Sequence, residues 1–439
     1  MSFVATKSIS GFRRLRWLYA GLLLLASVLN YVDRQALSIL APTIQRELHI
    51  SDIRYGYVVQ VFLICYAVMY FLSGRIVDAI STRFAEATFL AWWSIAGALT
   101  ALITGFRSLL LVRSLLGLAE PGNYTASAKV VSEWFPPHER GTAVGLYSMG
   151  GTLGAAIAAP LIAYLAIAHG WRSAFVTTGL AGMVLALAWL LLYRSPDGYG
   201  FLLQNSSVEN ETTRSLSIAA GQSEPTPKAT TKMLTSKAFW AIVWTRMATD
   251  PVWYFYLFWF PKYLQEVRGM SLASIGRLLW IIFVAADAGS FVGGIAASRR
   301  IRRGSAAVDT RVLIMAFAAI VPCLTFVIPM LPGYALPVAA ACCAAFAHMA
   351  WMTNATTLPL DIFPSTEIGS IQGMIGGLSS AAAFVSTGFI AFSVSHFSYR
   401  PVFIVASFLY PLALMVLFQL PKIYKKECVP QNEEDFRTI

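Results

Sequence analysis

Asp33 and Arg34 stand side by side inside an apolar run that begins near Trp17. Asp33 lies sixteen residues beyond Trp17, about 24 Å of helix at ~1.5 Å per residue. A charge at the centre of a bilayer costs about 2.5–3.5 kcal/mol on insertion scales, so each one needs a partner or a task. A carboxylate there can load a proton from one side and release it to the other as its surroundings change. A static salt bridge between helices is the other reading of Asp33. Arg34 points about 100° away round the helix, and its guanidinium can grip a carboxylate through two parallel hydrogen bonds. Pairing with Asp33 alone is its alternative. Arg113 and Glu120 are seven residues apart, on nearly one helix face and two turns apart. Arg113 can stabilise ionised Glu120 or exchange partners with Asp33, and a purely structural role for Glu120 stays open.

A later run carries Asp250, Trp253, Tyr254, Tyr256 and Lys262. Asp250-Pro251 interrupts helical hydrogen bonding and frees backbone groups that can line a cavity. Lys262 suits a second cation facing a site, or a side chain that snorkels to the interface. His348, Trp351 and Asn354 are spaced by three and share one face. An apolar span has little use for Asn354 unless it meets a ligand or another helix. His348 reads more readily as a satisfied core histidine than as a proton carrier. Asp287 is a lone acid in its run, with Arg277 or Arg246 as possible partners and either a structural or a coupling role.

The composition says what elements hold these residues. The 439 residues are 57% hydrophobic and only 13% charged, with mean hydropathy +0.63. A soluble domain is about a quarter charged, so a soluble enzyme, a disordered chain and a nucleic-acid binder are all excluded. The net charge of +11 reads as the basic bias of cytoplasmic loops. Five cysteines show no Cys-x-x-Cys spacing, so neither a disulfide framework nor a zinc site is indicated.

Apolar runs long enough to span fall at 17–42, 53–74, 85–104, 108–131, 141–168 and 173–193. Six more follow at 238–266, 272–298, 312–330, 334–358, 369–395 and 401–420. The fold class expected is an all-α polytopic membrane protein with twelve transmembrane helices. Residues 1–194 and 238–421 form two six-helix bundles, 195–237 a polar cytoplasmic linker, and 422–439 a cytoplasmic tail. Arg13, Arg14 and Arg16 resemble the start of a signal peptide, but no convincing cleavage site follows, so the first span is retained. With the N-terminus inside, 21 basic residues fall in cytoplasmic segments and 6 in outer loops. That bias places both termini in the cytoplasm.

The two halves repeat. At a shift of 228 residues, Phe135-Pro136 meets Phe363-Pro364, Gly141 meets Gly369 and Gly145 meets Gly373. Arg172 and Phe175 meet Arg400 and Phe403 in the same register, and Arg34 meets Lys262. A parallel repeat of this kind marks alternating-access transporters, with a binding site near the midplane between pseudo-symmetric halves.

At these residues the chain resembles the major facilitator superfamily. Arg113-Ser-Leu-Leu-Gly117-Leu-Ala-Glu120 is similar to its fourth-helix motif, and Asn30-Tyr31-Val32-Asp33-Arg34 to the first-helix signature of the anion:cation symporter branch. Glu133-Trp134-Phe135-Pro136 to Glu139-Arg140 resembles that branch's loop between helices 4 and 5, and the run Asp250 to Lys262 the seventh helix of bacterial hexuronate transporters. The loop Gly74 to Arg83 departs from the superfamily pattern at Ala79 and Ser81. The resemblance implies the major facilitator fold, Asp33 and Glu120 as the protonation pair with Arg113 beside them, and Arg34 as the ligand of a sugar-acid carboxylate. It also implies Tyr31 and Tyr66 as site-lining aromatics, although ordinary packing suits either ring equally. Trp253, Tyr256, Lys262, Trp351 and Asn354 complete the candidate substrate site.

The function expected is proton-coupled import of a sugar acid, a hexuronate such as glucuronate or galacturonate. An aldonate or aldarate such as galactonate or glucarate is the runner-up. The partners are then a small organic anion, protons and the lipid bilayer of a bacterial inner membrane, with no cofactor, no nucleic acid and a monomeric state. A membrane-embedded enzyme would need a catalytic constellation, and Pro137-His138-Glu139-Arg140 supplies only one His in a loop. A channel fits two halves around charged spans less well than alternating access does.

Overall fold

The computed structural model describes residues 2–195, 234–270 and 272–428, and among them helices carry the chain and no strand occurs. Most of the expected linker (196–233) and the last part of the expected tail (429–439) lie outside these residues. A helix satisfies its backbone polar groups within itself, which hydrocarbon requires of any spanning segment.

The helices are α1 (Ser2–Glu47), α2 (Asp52–Ala79), α3 (Thr82–Leu99), α4 (Phe106–Ala119), α5 (Pro121–Trp134), α6 (Pro137–His169) and α7 (Trp171–Leu192). Then come α8 (Lys237–Tyr254), a π-helical turn (Phe255–Trp259), α9 (Phe260–Glu266), α10 (Leu272–Arg302) and α11 (Ala307–Cys323). The last are α12 (Ala335–Ile362), α13 (Ile368–His396), α14 (Arg400–Leu417) and α15 (Leu420–Cys428). Local chemistry sets several ends. Ser51 and Ser236 cap α2 and α8 by accepting from the amides of Arg54 and Phe239. Pro121 and Pro137 open α5 and α6, where the missing N–H costs nothing. Gly170, at φ 82°, turns the chain between α6 and α7 in a conformation side chains resist.

Among the described residues nine helices are long and apolar enough to cross a membrane, and the bent pair Pro137–Ala158 and Pro160–His169 makes up to ten. The spans expected at 108–131 and 238–266 are helical too. The first is divided at Glu120-Pro121 and the second by the π turn after Pro251, so neither presents one long apolar helix. The fold class is all-α and polytopic. The face of α7 bearing Leu180, Val184, Leu187 and Leu191 is exposed, which is how a chain of this composition meets lipid.

The helices fall into two units. One comprises Met1–Pro136, Leu146–Gln222 and Ser365–Met374; the other comprises Pro137–Gly145, Ser223–Pro364 and Ile375–Ile439. In the first, α3 packs on α7 through small residues: a Cβ at Gly179 would lie 2.7 Å from the Ser94 carbonyl oxygen. In the second, α10 packs on α12, and a Cβ at Gly293 would lie 2.7 Å from the Ala350 Cα. Small residues let such backbones approach and gain packing where lipid offers no hydrophobic drive.

Candidate functional site

Each unit carries a polar site inside its helices. In the first unit, α1 presents Tyr31, Asp33 and Arg34, α2 presents Tyr66, and Glu120 sits at the junction of α4 and α5. Arg34 donates to Glu120 Oε2 from Nε at 2.9 Å and from Nη2 at 2.5 Å. Glu120 is fully buried, whereas the Arg34 side chain keeps 28% of its surface exposed. The guanidinium carbon lies 4.8 Å from the ring centre of Tyr66, 5.1 Å from Tyr31 and 5.6 Å from Phe62. Aromatic faces stabilise a cation in this way without neutralising it. Phe62 is a member of the cage that spacing alone did not single out.

Asp33 faces the other way. Its carboxylate lies against Gly97 of α3, where a Cβ would be 3.7 Å from Oδ2. Among the described residues neither Asp33 oxygen has a partner at hydrogen-bond distance, the nearby hydroxyl being that of Thr178 on α7, and Glu120 Oε1 has none either. Arg113 is buried at 4% exposure and interacts through space with both Glu120 and Asp33. Two turns, about 10 Å of rise, separate Arg113 from Glu120, and the direct ion pair of Glu120 is with Arg34. Tyr31, Asp33, Arg34, Tyr66, Arg113 and Glu120 are thus brought together.

In the second unit, Arg246 and Asp250, one turn apart on α8, form a multiply bonded ion pair with contacts of 2.9–3.0 Å. Arg246 also donates to Thr356 on α12 at 3.0 Å, and Asp250 accepts from Ser379 on α13. Their i,i+4 spacing was the available signal for this pair. Beside it, Trp253 stacks on His348 at 5.7 Å between ring centres, and His348 Nδ1 bonds the Tyr410 hydroxyl at 2.5 Å. Trp351 is buried and donates to Thr249 at 3.1 Å. Tyr256 is buried on the π turn, packed against Phe255 and Phe260.

Two other candidates are placed apart. Asn354 is fully buried, donates to the Ala350 and Gly293 carbonyls at 2.9 and 3.3 Å, and accepts from Arg311 at 3.5 Å. Arg311 in turn pairs with Asp361. Asn354 therefore joins a helix-to-helix network. Lys262 is half exposed, 3.6 Å from Glu266 and 5.5 Å from the Trp259 ring centre. Asp287 is half-buried; of its two suggested partners, Arg246 pairs with Asp250 and the side chain of Arg277 lies outside the described residues. In the loop that departs from the superfamily pattern, Asp78 accepts from the Gly369 and Ser370 amides at 3.0 and 2.6 Å and from Lys129 at 3.1 Å.

A family model described as Major Facilitator Superfamily matches residues 23–387. The chain is 30% identical over 393 residues to a hexuronate transporter of Bacillus subtilis (strain 168), covering 86% of this chain and 88% of the relative. It is 34% identical over 281 residues to a galacturonate transporter of Dickeya chrysanthemi, covering 64% of this chain and 81% of the relative. In fold it is similar to a proton:xylose symporter, at TM-score 0.72 and 15% identity over 93% of this chain and 96% of that one.

Proposed function

The chain belongs to the Major Facilitator Superfamily, and from that premise we propose that it imports a sugar acid by proton symport through alternating access. It is a membrane transporter rather than an enzyme. The single observation that carries the proposal is the Arg34–Glu120 pair inside the aromatic cage. Arg34 is the one cation of that site whose side chain is partly open, and its geometry suits a carboxylate. While Glu120 is ionised it occupies Arg34. Protonation of Glu120 removes the competing charge and frees the guanidinium for the carboxylate of the substrate. Proton and substrate then enter together, because each makes room for the other. Asp33, buried and in the field of Arg113 and Glu120, is the second proton carrier. Tyr31 and Tyr66 supply hydroxyls and ring faces for a sugar.

Relatives named as hexuronate and galacturonate transporters support a hexuronate as substrate, in a bacterial inner membrane; the bias of basic residues supports both termini inside. The test is uptake of labelled glucuronate into proteoliposomes with and without an inward proton gradient, for the wild type, Asp33→Asn and Arg34→Ala. Gradient-driven uptake that both variants lose supports the roles and the substrate together. Folded protein without uptake sinks the hexuronate reading; competition by galactonate and glucarate then decides for the aldonate or aldarate.

A further inference from the structure

The first unit holds a buried acid that the proposed transport cycle does not use. Glu86 on α3 is fully buried, and neither of its carboxylate oxygens has a hydrogen-bond partner among the described residues. An ionised carboxylate left so would be costly, so the position suits a carboxyl that holds a proton. Its place on the helix is informative. Gly97, where a Cβ would lie 3.7 Å from Asp33 Oδ2, is eleven residues further along α3. Eleven residues are close to three full turns, so both positions share one face about 16 Å apart. Trp93 lies on that face between them, with its indole N–H also unpartnered.

The facing helices continue the pattern. Thr82 of α3 donates to Glu133 of α5 at 2.9 Å, and Phe89 of α3 sits against Gly122 of α5. These two pairings bracket Glu86 at the level of Ser127, whose hydroxyl is buried and unpartnered. One turn along α5, Asn123 bonds Ser27 of α1 at 3.5 Å while its carbonyl oxygen is unpartnered. One turn beyond Ser27, the whole Asn30 amide is buried and unpartnered, and the next turn is Asp33. Buried polar groups of this kind ordinarily hold ordered water, which needs two to four polar partners. On the far side, Thr82 lies one turn from Glu86 and meets the Tyr193 hydroxyl at 2.7 Å at the end of the bundle.

We propose that Glu86 is a proton-relay residue, taking the proton that Asp33 releases and passing it along this face of α3 towards Thr82, Glu133 and Tyr193. The inference rests on the proton-symport reading. In the transfer the Glu86 O–H bond breaks as its proton passes towards Glu133, and the proton released by Asp33 forms a new one, so the negative charge moves from Glu133 to Asp33 and none stays on Glu86. Ser27, Ser127 and water pass the proton, and the amides of Asn30 and Asn123 anchor the water. Of the other charged and titratable groups on the packed helices, Tyr124 of α5 lies near Arg34, Tyr31 and Tyr66, and several more have partners of their own. Lys129 of α5 bonds the Val77 carbonyl and Asp78 of α2, and Arg83 bonds the Leu190 carbonyl of α7. Glu133 bonds Thr82 and Tyr193, Tyr19 of α1 bonds the Leu192 carbonyl, and Arg16 lies over Phe135. Arg113 of α4 belongs to the Asp33 end.

The test separates exchange from net transport in proteoliposomes. Glucuronate counterflow needs no net proton movement; gradient-driven uptake and substrate-evoked proton flux do. In Glu86→Gln, counterflow stays near wild type while driven uptake and proton flux fall at least about a hundredfold, the low side of what a positioned proton carrier contributes. Glu86→Asp recovers part of both. Driven uptake at the wild-type level in E86Q overturns the relay. Equal loss of counterflow and driven uptake, in protein of wild-type melting temperature, makes Glu86 a packing residue and overturns it too. If E86Q does not fold, Ser127→Val gives the same readout, and unchanged coupling in it overturns the relay. A wild type that exchanges glucuronate yet moves no protons with it overturns the symport reading, and the relay with it.

Discussion

Arg34 places two of its N–H groups on a single oxygen of Glu120, Oε2, and leaves Oε1 of the same carboxylate without a hydrogen-bond partner. The Arg34 side chain nevertheless keeps 28% of its surface exposed, whereas that of Glu120 is fully buried. A pair arranged in this way is the feature on which the proposed exchange of Glu120 for a substrate carboxylate rests.

Replacing Arg34 by Lys keeps the charge and loses the fork. The expected result is about 10- to 100-fold weaker sugar-acid binding, the worth of one charge-assisted hydrogen bond, in protein of unchanged melting temperature. Titration of substrate against intrinsic tryptophan fluorescence measures it. Wild-type affinity in Arg34→Lys would mean that Arg34 does not hold the carboxylate.

Glu120→Gln removes the competitor of the substrate permanently. Binding should hold or tighten and lose its pH dependence, while gradient-driven uptake falls by about a hundredfold or more, as when a proton carrier is removed. Affinity measured as a function of pH checks the first part. Weaker binding with intact uptake would reverse the assignment.

Arg246 and Asp250 offer a stability test. Removing one partner of a buried ion pair strands the other charge, at about 3–5 kcal/mol. Asp250→Ala should therefore lower the melting temperature in detergent steeply, whereas the double variant Arg246→Met with Asp250→Leu recovers most of the loss. A double variant no better than the single one would show that Thr356 and Ser379, rather than the pair, set the stability.

Lys262→Ala should leave KM for uptake within about twofold of wild type, because an exposed i,i+4 pair of this kind contributes only ~0.3–0.5 kcal/mol. Its partner here is Glu266 at 3.6 Å. A tenfold rise in KM would make Lys262 a substrate ligand.

Gly293→Val tests the close approach of α10 to α12, since a Cβ there meets the Ala350 backbone at 2.7 Å. Backbone cannot move aside as a side chain can, so a destabilisation of about 3 kcal/mol or more is expected. Thermal unfolding of the purified variant reads it directly.

Composition and hydropathy by themselves determined that this chain is an all-helical membrane protein, because hydrocarbon leaves a spanning backbone almost no other way to satisfy its polar groups. Motif spacing likewise determined which acids and cations stand near the first and fourth spans. What spacing leaves open is partner choice, because a side chain reaches several ångströms in a direction set by neighbouring helices. Arg113 and Glu120 share a helix face, yet packing of α1 against the α4–α5 junction hands Glu120 to Arg34. Lys262 repeats Arg34 at a shift of 228 residues, yet the π turn before it leaves Lys262 beside Glu266. Asn354 shares its spacing with Trp351 but is drawn to Arg311 by contacts from another helix. Glu86 was not singled out by spacing at all; that it is buried without a partner among the described residues, on the face of α3 that meets Asp33, is decided only where α1, α3 and α5 come together.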